Sequence, residues 1–144
     1  MLTIKRLSIA EAQILIEGAA RKSREIGVPM CIAVCDESGH LIRFERMDGG
    51  KVSSISIAID KAFTGAVARR GTHVYNQLCV PGSQTFGIHI TNEGHFSIIG
   101  GGLPVLVAGE IVGGIGLSSG TAEQDLVCAE AAIKYFYDAT GYRE

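Results

Sequence analysis

The stretch GGGLPVLVAGEIVGGIGLSSG, residues 100–120, contains eight glycines in twenty-one positions. Two apolar runs of strand character, 103–108 and 111–118, lie inside it. Glycine weakens a strand, because it has no side chain to pack and loses much conformational entropy on folding. This density of glycine predicts that something approaches the backbone closely: a ligand, a partner chain or another part of this chain. For the glycines inside the second run, packing of a helix or a subunit is favoured over a ligand.

Capping residues and the spacing of apolar residues divide the rest of the chain into further elements. Ser8 and Glu11 form a capping box that starts a helix ending at Gly27. Thr121 and Gln124 form a second capping box, and the helix that follows closes at Gly141. The other predicted elements are a hairpin of 30–36 with 40–46, a helix over 53–70, a short helix over 72–78, a hairpin over 89–99 with Asn92-Glu93-Gly94 at its tip, and the hairpin of 103–108 with 111–118.

The strand 30–36 indicates how the layers are arranged. Both of its alternating faces are apolar, which is typical of a central strand covered on both sides. In the strand that follows, Ile42 and Phe44 are predicted to share a face with His40 and Arg46. Paired hairpins favour a mostly antiparallel sheet, and the two-sided apolar strand favours helices on both faces of that sheet.

Length and composition predict a single globular domain over residues 1–144. Hydrophobic residues make up 47% of the chain, charged residues 19%, and the net charge is −2. A chain of this length buries a core without metal or disulfide staples. No basic cluster offers a field for phosphate groups, so a nucleic-acid partner is not expected. Neither a signal peptide nor a membrane span is recognised, so a cytoplasmic location and no membrane partner are expected.

The four cysteines, Cys31, Cys35, Cys79 and Cys128, fit a reducing compartment. None of them forms a C-x-x-C pair or a zinc-site spacing. Cys31 and Cys35 share one face of a strand, where they would pair in metal binding or redox chemistry, but buried structural thiols are the favoured interpretation.

Several polar residues are candidates for ligand binding. Arg46 is the polar residue on an otherwise apolar strand face, where it would bind a carboxylate or form an ion pair with Asp48 or Asp125. Lys61 borders the apolar stripe of its helix, so its amine would reach either a pocket or water. Residues 100–102 form either an anion-binding loop or a sharp turn that the fold requires. Asp125 complements the dipole at the start of the last helix.

The histidines are candidate metal ligands. His89 and His95 flank the predicted hairpin tip, and a three-residue loop would place both on the same face. There two imidazoles would meet a metal ion or a haem iron. Solvated surface histidines are the alternative. His40, His73 and Cys79 are further single candidates for an axial ligand.

Two groups of enzymes are disfavoured by the motifs. The pattern G-x-S-x-G occurs at residues 116–120, but it ends a hairpin strand and no histidine follows it in the chain, so a serine hydrolase is not expected. The chain contains neither a Walker loop nor a strand–G-x-G-x-x-G–helix fingerprint, so nucleotide binding of those types is not expected.

Three segments of the chain match one family pattern. Residues 35–50, CDESGHLIRFERMDGG, fit D-x-x-G-x-L-x-x-x-x-R-x-D-G. Residues 54–64, SISIAIDKAFT, fit S-x-x-x-A-x-x-K-A-x-T, and residues 101–125 fit a glycine-rich stretch that runs into an acidic helix start. In this order the segments resemble the GlcG/HbpS family, which includes the C-terminal domain of PduO-type proteins. The chain departs from the family at Leu126, where a glutamate is frequent, and in the extra serine of Ser118-Ser119-Gly120.

The resemblance implies a profilin-like three-layer α/β/α sandwich on a five-stranded antiparallel sheet, and it implies homo-oligomers. It further implies an accessory or binding protein for a tetrapyrrole, either haem or a corrinoid, or for a small carboxylate. Family members accompany glycolate use or cobalamin-dependent diol and glycerol metabolism, so a dehydratase or its reactivating factor is an expected partner. Two alternatives stay open: an enzyme acting on a small hydroxy acid, aldehyde or diol-derived compound, and a structural partner of a metabolic complex.

Within this resemblance, the ligand is expected near the glycine loop, the strand-end arginine and the helix lysine. The predicted ligand-binding residues are Arg46, Asp48, Lys61, Gly101, Gly102, Pro104, Ser118 and Asp125, and the predicted metal ligands are His89 and His95.

Overall fold

The computed structural model describes all 144 residues. Its helices and strands are α1 (Ile9–Ile26), β1 (Cys31–Asp36), β2 (Leu41–Arg46), α2 (Ser54–Val67), α3 (Thr72–Leu78), β3 (Gly102–Val107), β4 (Glu110–Ser118) and α4 (Ala122–Thr140). Both predicted capping boxes form, at Ser8 and at Thr121. Gly27 and Gly141 adopt the left-handed conformation that ends α1 and α4, as predicted.

The strands form one sheet in the order β2-β1-β4-β3, and every neighbouring pair is antiparallel. Helix α2 covers one face of the sheet, while α1 and α4 pack together on the other. The mixed α/β fold with an antiparallel sheet is therefore confirmed, whereas the expectation of five strands is wrong, because the sheet has four. None of the helices combines the length and the apolar character that a membrane span requires.

The predicted hairpin over 89–99 is also wrong. The segment instead forms two short 3₁₀ turns, Ile88–Ile90 and Asn92–Gly94. Asn92 and Glu93 both have left-handed backbone angles, with φ of 53° and 58°, which breaks strand geometry at the expected tip. The far end of the segment bonds to α2 rather than to a strand, since the Thr64 hydroxyl accepts the N–H of Ser97 at 2.8 Å.

Strand β1 is the central element that its sequence predicts, because all six of its residues are buried. Cys31, Ala33 and Cys35 face α2, while Ile32 and Val34 face α1 and α4. The side chains that face α2 are small and those that face α1 and α4 are larger. Helix α2 therefore lies closer to the sheet than α1 and α4 do.

Strand β2 does not place its apolar residues on one face as predicted. A bulge shifts the register between Val34 and Cys35, which oppose Arg43 and Leu41 respectively. Ile42 therefore packs into the core under α1, while Phe44 packs against the cluster under α2. An extra residue in one strand reverses the alternation locally, and hydrophobic alternation alone did not reveal it.

The glycines of β3 and β4 let α2 pack directly on the sheet. A Cβ atom on Gly116 would overlap the carbonyl oxygen of Ala58 and the amide nitrogen of Ala62. Gly114 faces the same helix at Ala62 and Ala66, and a Cβ on Gly102 would overlap the Lys61 carbonyl. The element that lies close to these glycines is thus α2 of the same chain, which is one of the alternatives that the sequence predicts.

The N-terminal segment is fastened to the β1–β2 turn by an ion pair. The Arg6 guanidinium donates to both carboxylate oxygens of Glu37, at 2.8 and 2.6 Å. This bidentate hydrogen bond lowers the pKa of Glu37 from 4.5 to about 2. Arg6 is largely exposed, so the pair is screened by solvent and its contribution to stability is small.

A pH-dependent contribution to stability follows from this pair. Because folding depresses the pKa of Glu37, the stabilisation is complete above pH 4.5 and is lost as the pH falls towards 2. Urea unfolding of the wild type and of Glu37→Gln should therefore show a small difference in stability at pH 7 that disappears in acid. A difference that stays constant across this range would contradict the assignment.

Candidate functional site

Lys61 and Asp125 form a buried ion pair between α2 and α4. Lys61 is only 1% exposed, and its Nζ donates to Asp125 Oδ2 at 2.7 Å and to the Leu117 carbonyl at 2.9 Å. The other carboxylate oxygen accepts the N–H of Gly120 at 3.0 Å. The proposed pairing of Arg46 with Asp125 is therefore wrong: Lys61 holds this carboxylate.

Burial and pairing shift the pKa values of Lys61 and Asp125 in opposite directions. Burial lowers the pKa of Lys61 and raises the pKa of Asp125, because both charged forms lose water. Each partner opposes that effect through a hydrogen bond and its charge. The geometry is that of an internal link between α2, the end of β4 and the start of α4. A ligand-binding role for Lys61 and Asp125 stays a prediction.

The glycine loop lies against the same ion pair. Gly101 has a φ of 120°, and a Cβ there would lie 2.6 Å from the Cβ of Asp125. The Gly101 carbonyl accepts the N–H of Leu117 at 2.9 Å, and Gly102 donates its N–H to the Thr72 hydroxyl at 2.9 Å. These contacts account for the glycines as tight internal packing. Anion binding by this loop stays a prediction.

The other predicted ligand residues lie in three different environments. Ser118 lies opposite Cys31 in the sheet, and its buried hydroxyl donates to Ser54 Oγ at 3.0 Å. Arg46 lies on the other side of Cys31 and is exposed, as is Asp48. Pro104, on the edge strand β3, lines a separate cavity of about 460 Å³ together with Tyr137.

The structure therefore brings four of the eight predicted residues together around the lysine and leaves the rest apart. The four are Lys61, Gly101, Gly102 and Asp125.

The two predicted metal-binding histidines each have a separate partner. His95 Nδ1 lies 2.8 Å from Asp60 Oδ1, and its ring meets the edge of Phe63 at 6.4 Å. His89 Nδ1 lies 3.2 Å from the Sγ of Cys79. Because the hairpin does not form, the imidazoles do not face each other across a tip. No group of three or more His, Cys, Asp or Glu side chains that could hold a metal ion is present, and metal binding by His89 and His95 stays a prediction.

A cavity of about 250 Å³ lies beside these histidines. Its walls come from the outer face of α2, from the two 3₁₀ turns and from the segment after them, and they are mainly apolar. The lining residues are Ile57, Asp60, His89, Gly94, Phe96, Ser97, Ile98 and Ile99. An apolar cleft with a carboxylate and an imidazole at its rim suits a flat, largely apolar ligand that carries one ligatable centre.

Asp60 is the residue of this site that sequence analysis missed. It lies directly before Lys61 on α2, yet successive helix positions point in different directions. Lys61 therefore enters the core while Asp60 meets His95 outside. A carboxylate on the solvent side of a helix is ordinarily just solvated, so only the fold of the following segment gives it a role.

The similarity of this chain to known proteins extends over nearly its whole length. Residues 7–134 match the family model described as haem degrading protein HbpS-like. An uncharacterised 15.0 kDa protein from the dhaT–dhaS intergenic region of Citrobacter freundii is 37% identical over 133 residues, covering 92% of this chain and 94% of the relative.

Two solved structures share the fold of this chain over most of their length. The protein ORFY of Klebsiella pneumoniae superposes with a TM-score of 0.92 and 33% identity, covering 94% of each chain. The PduOC protein, solved as a complex with haem, superposes with a TM-score of 0.86 and 28% identity, covering 90% of this chain and 94% of its own. By sequence and by fold, this chain belongs to the HbpS-like family.

Proposed function

We propose that this chain is a haem-binding accessory protein whose haem iron is ligated by His95. The observation that carries the proposal is the contact between His95 Nδ1 and Asp60 Oδ1 at 2.8 Å. An ionised carboxylate only accepts hydrogen bonds, so Nδ1 carries a proton, and in the neutral imidazole Nε2 keeps the lone pair that a metal ion needs. A carboxylate behind the imidazole orients the ring and makes it a better ligand, which is the usual second partner of a metal-bound histidine.

The surroundings of His95 suit a porphyrin edge. The adjoining cavity has Ile57, Phe96 and Ile99 in its wall, and the same segment of chain exposes Phe86 and Ile90. At about 250 Å³ the cavity is smaller than the roughly 300–1,000 Å³ of complete ligand pockets, so it would enclose only part of the ring. His89, on the rim of the same cavity, is the second candidate ligand.

The PduOC complex supports this choice of ligand, because that protein binds haem and shares the fold over most of both chains. Haem, when bound, supplies a redox-active iron and a strong visible absorption. The residues of this chain would hold it: Asp60 fixes the proton on His95 Nδ1, and the apolar wall excludes water from one edge of the ring.

Haemin titration followed by visible absorption tests the proposal. The wild type should bind with a shifted absorption band, and His95→Ala should weaken binding at least about tenfold. Asp60→Asn should weaken it by roughly 10–100-fold, because it removes the carboxylate that orients the ring. His40→Ala, an exposed histidine in the β1–β2 turn, is the matched control and should bind as the wild type does.

Binding by His95→Ala at wild-type affinity would overturn the assignment of the ligand. A band shift with a cobalamin and none with haemin would place a corrinoid at the site. No shift with either would remove the tetrapyrrole proposal and leave the enzyme and structural-partner alternatives. The dehydratase partner and the link to glycerol, diol or glycolate metabolism stay predictions.

We propose further that the protein forms homo-oligomers that complete the shallow haem site. Val80, Phe86, Ile90 and Ile99 are all exposed on the segment between α3 and β3, and Ile90 is 72% exposed. A second copy would cover this surface and the open side of the cavity. Light scattering after gel filtration should show a multimer for the wild type and a smaller species for Phe86→Asp/Ile90→Asp. A monomeric wild type at micromolar concentrations would contradict the proposal.

A further inference from the structure

Cys79 and His89 form a thiol–imidazole pair on the protein surface. Cys79 ends α3, and His89 lies in the first 3₁₀ turn, ten residues later. The Sγ atom lies 3.2 Å from His89 Nδ1. In the single chain Cys79 is half-buried and His89 is exposed, so small molecules in solution can reach the sulfur. The proposed oligomer covers neighbouring side chains of this segment, so Phe86→Asp/Ile90→Asp is the reference for full access to Cys79. The haem proposal rests on His95, and His89 enters it only as a second candidate ligand, so the pair is tested in the haem-free protein.

A series of tight turns fixes the distance between the two side chains. The Thr85 hydroxyl donates to the Leu78 carbonyl at 2.6 Å, which closes the loop next to Cys79. Backbone hydrogen bonds from Phe86 to Ser83 and from Ile88 to Thr85, each 3.0 Å, continue the turns up to His89. The loop therefore holds sulfur and imidazole in contact without relying on long side chains.

The other three cysteines differ from Cys79 in their exposure and in their neighbours, the two features that govern the reactivity of a thiol. Cys31, Cys35 and Cys128 are at most 2% exposed, and none of them contacts a histidine. Burial raises the pKa of each of these thiols, to about 12 for Cys35 and about 11 for Cys128. A reagent in solution thus finds one accessible thiol next to a base and three thiols that are enclosed and protonated.

We propose that Cys79 is a nucleophilic thiol, activated by His89, that reacts with hydrogen peroxide and other soft electrophiles. In the tautomer with its proton on Nε2, His89 accepts the thiol proton at Nδ1. The resulting thiolate attacks one oxygen of the peroxide, so that an S–O bond forms while the O–O bond breaks. The leaving hydroxide takes the proton from the imidazolium and departs as water.

The sulfur is oxidised by two electrons in this step, and the peroxide is reduced to water. The product is a sulfenic acid on Cys79. No other cysteine of the same chain is exposed to condense with it. A low-molecular-weight thiol would therefore attack the sulfenic sulfur, releasing water and leaving a mixed disulfide that a second thiol reduces.

Alkylation of the haem-free protein tests the activation, and it does so whether or not haem binds. Brief treatment with iodoacetamide at neutral pH, followed by peptide mass mapping, should label Cys79 before the other cysteines. His89→Ala should slow this labelling roughly tenfold or more. Added free imidazole should restore part of the rate, which a purely structural role for His89 would not allow. His73→Ala is the matched control, because this exposed histidine has no contact with the sulfur.

Each variant is also alkylated in concentrated urea, where all rates should become equal because the pair no longer exists. Peroxide should add one oxygen atom to Cys79 of the wild type, and a dimedone-type reagent should trap it. Cys79→Ser should show neither product. Equal native rates for the wild type and His89→Ala would overturn the proposal, as would labelling of a buried cysteine before Cys79.

Discussion

Replacing Lys61 with methionine is expected to lower the free energy of unfolding by about 3–5 kcal/mol. The substitution keeps most of the side-chain volume but leaves the carboxylate of Asp125, itself 2% exposed, without its counter-charge. Removing one member of a buried ion pair is costly because the remaining charge has lost both water and partner. Urea unfolding followed by circular dichroism measures the change.

The double variant Lys61→Met/Asp125→Asn is the matched control. Asparagine is uncharged, so no buried charge is left without a partner, and its carbonyl oxygen still accepts the N–H of Gly120. Most of the lost stability should therefore return, since neutral replacement of a buried pair is often close to neutral in free energy. A single variant within about 1 kcal/mol of the wild type would show that the pair is not a main link between α2 and the start of α4.

Gly116→Ala is expected to lower the free energy of unfolding by about 3 kcal/mol, at the upper end of the usual range for overpacking. The added methyl group would overlap backbone atoms of Ala58 and Ala62, and backbone cannot move aside as a flexible side chain can. Either α2 must lift from β4 or the strand must distort. Urea unfolding gives the size of the loss, and hydrogen exchange should show faster opening in α2 and β4 than elsewhere.

Gly100→Ala serves as the control for this glycine. Its added Cβ would lie 3.2 Å from the Cβ of His73 and 3.5 Å from the Ala122 carbonyl oxygen, which requires only a small shift. Its effect should be well below that of Gly116→Ala. If the two alanine variants were equally stable, close helix–sheet contact would not be the reason for the glycines of β4.

Local signals in the sequence predicted much of the fold. Two capping boxes and two terminal glycines marked the helix ends that the structure shows. The two-sided apolar strand predicted the central place of β1, and the glycines of β4 predicted a closely packed neighbour, which is α2. These features depend on neighbouring residues, so a sequence displays them directly.

Local signals did not predict the structure of the segment between α3 and β3, because that structure depends on contacts with residues distant in the sequence. Its apolar residues alternate well enough to suggest a hairpin, but Ser97 bonds to Thr64 of α2 instead of to a strand. The ion pair of Lys61 with Asp125 joins positions 64 residues apart, and no spacing rule relates them. The contact of Asp60 with His95 has the same origin, since it exists only after the segment has folded back on α2.

One side-by-side haemin titration tests the location of the ligand site most directly. It compares two variants, Lys61→Met/Asp125→Asn, which neutralises the buried pair, and His95→Ala, which removes the exposed imidazole. We predict that the first binds haemin with the affinity and absorption shift of the wild-type protein and that the second binds at least about tenfold more weakly. A shift retained by His95→Ala and lost in the core variant would place the ligand at the glycine loop and contradict the site on α2.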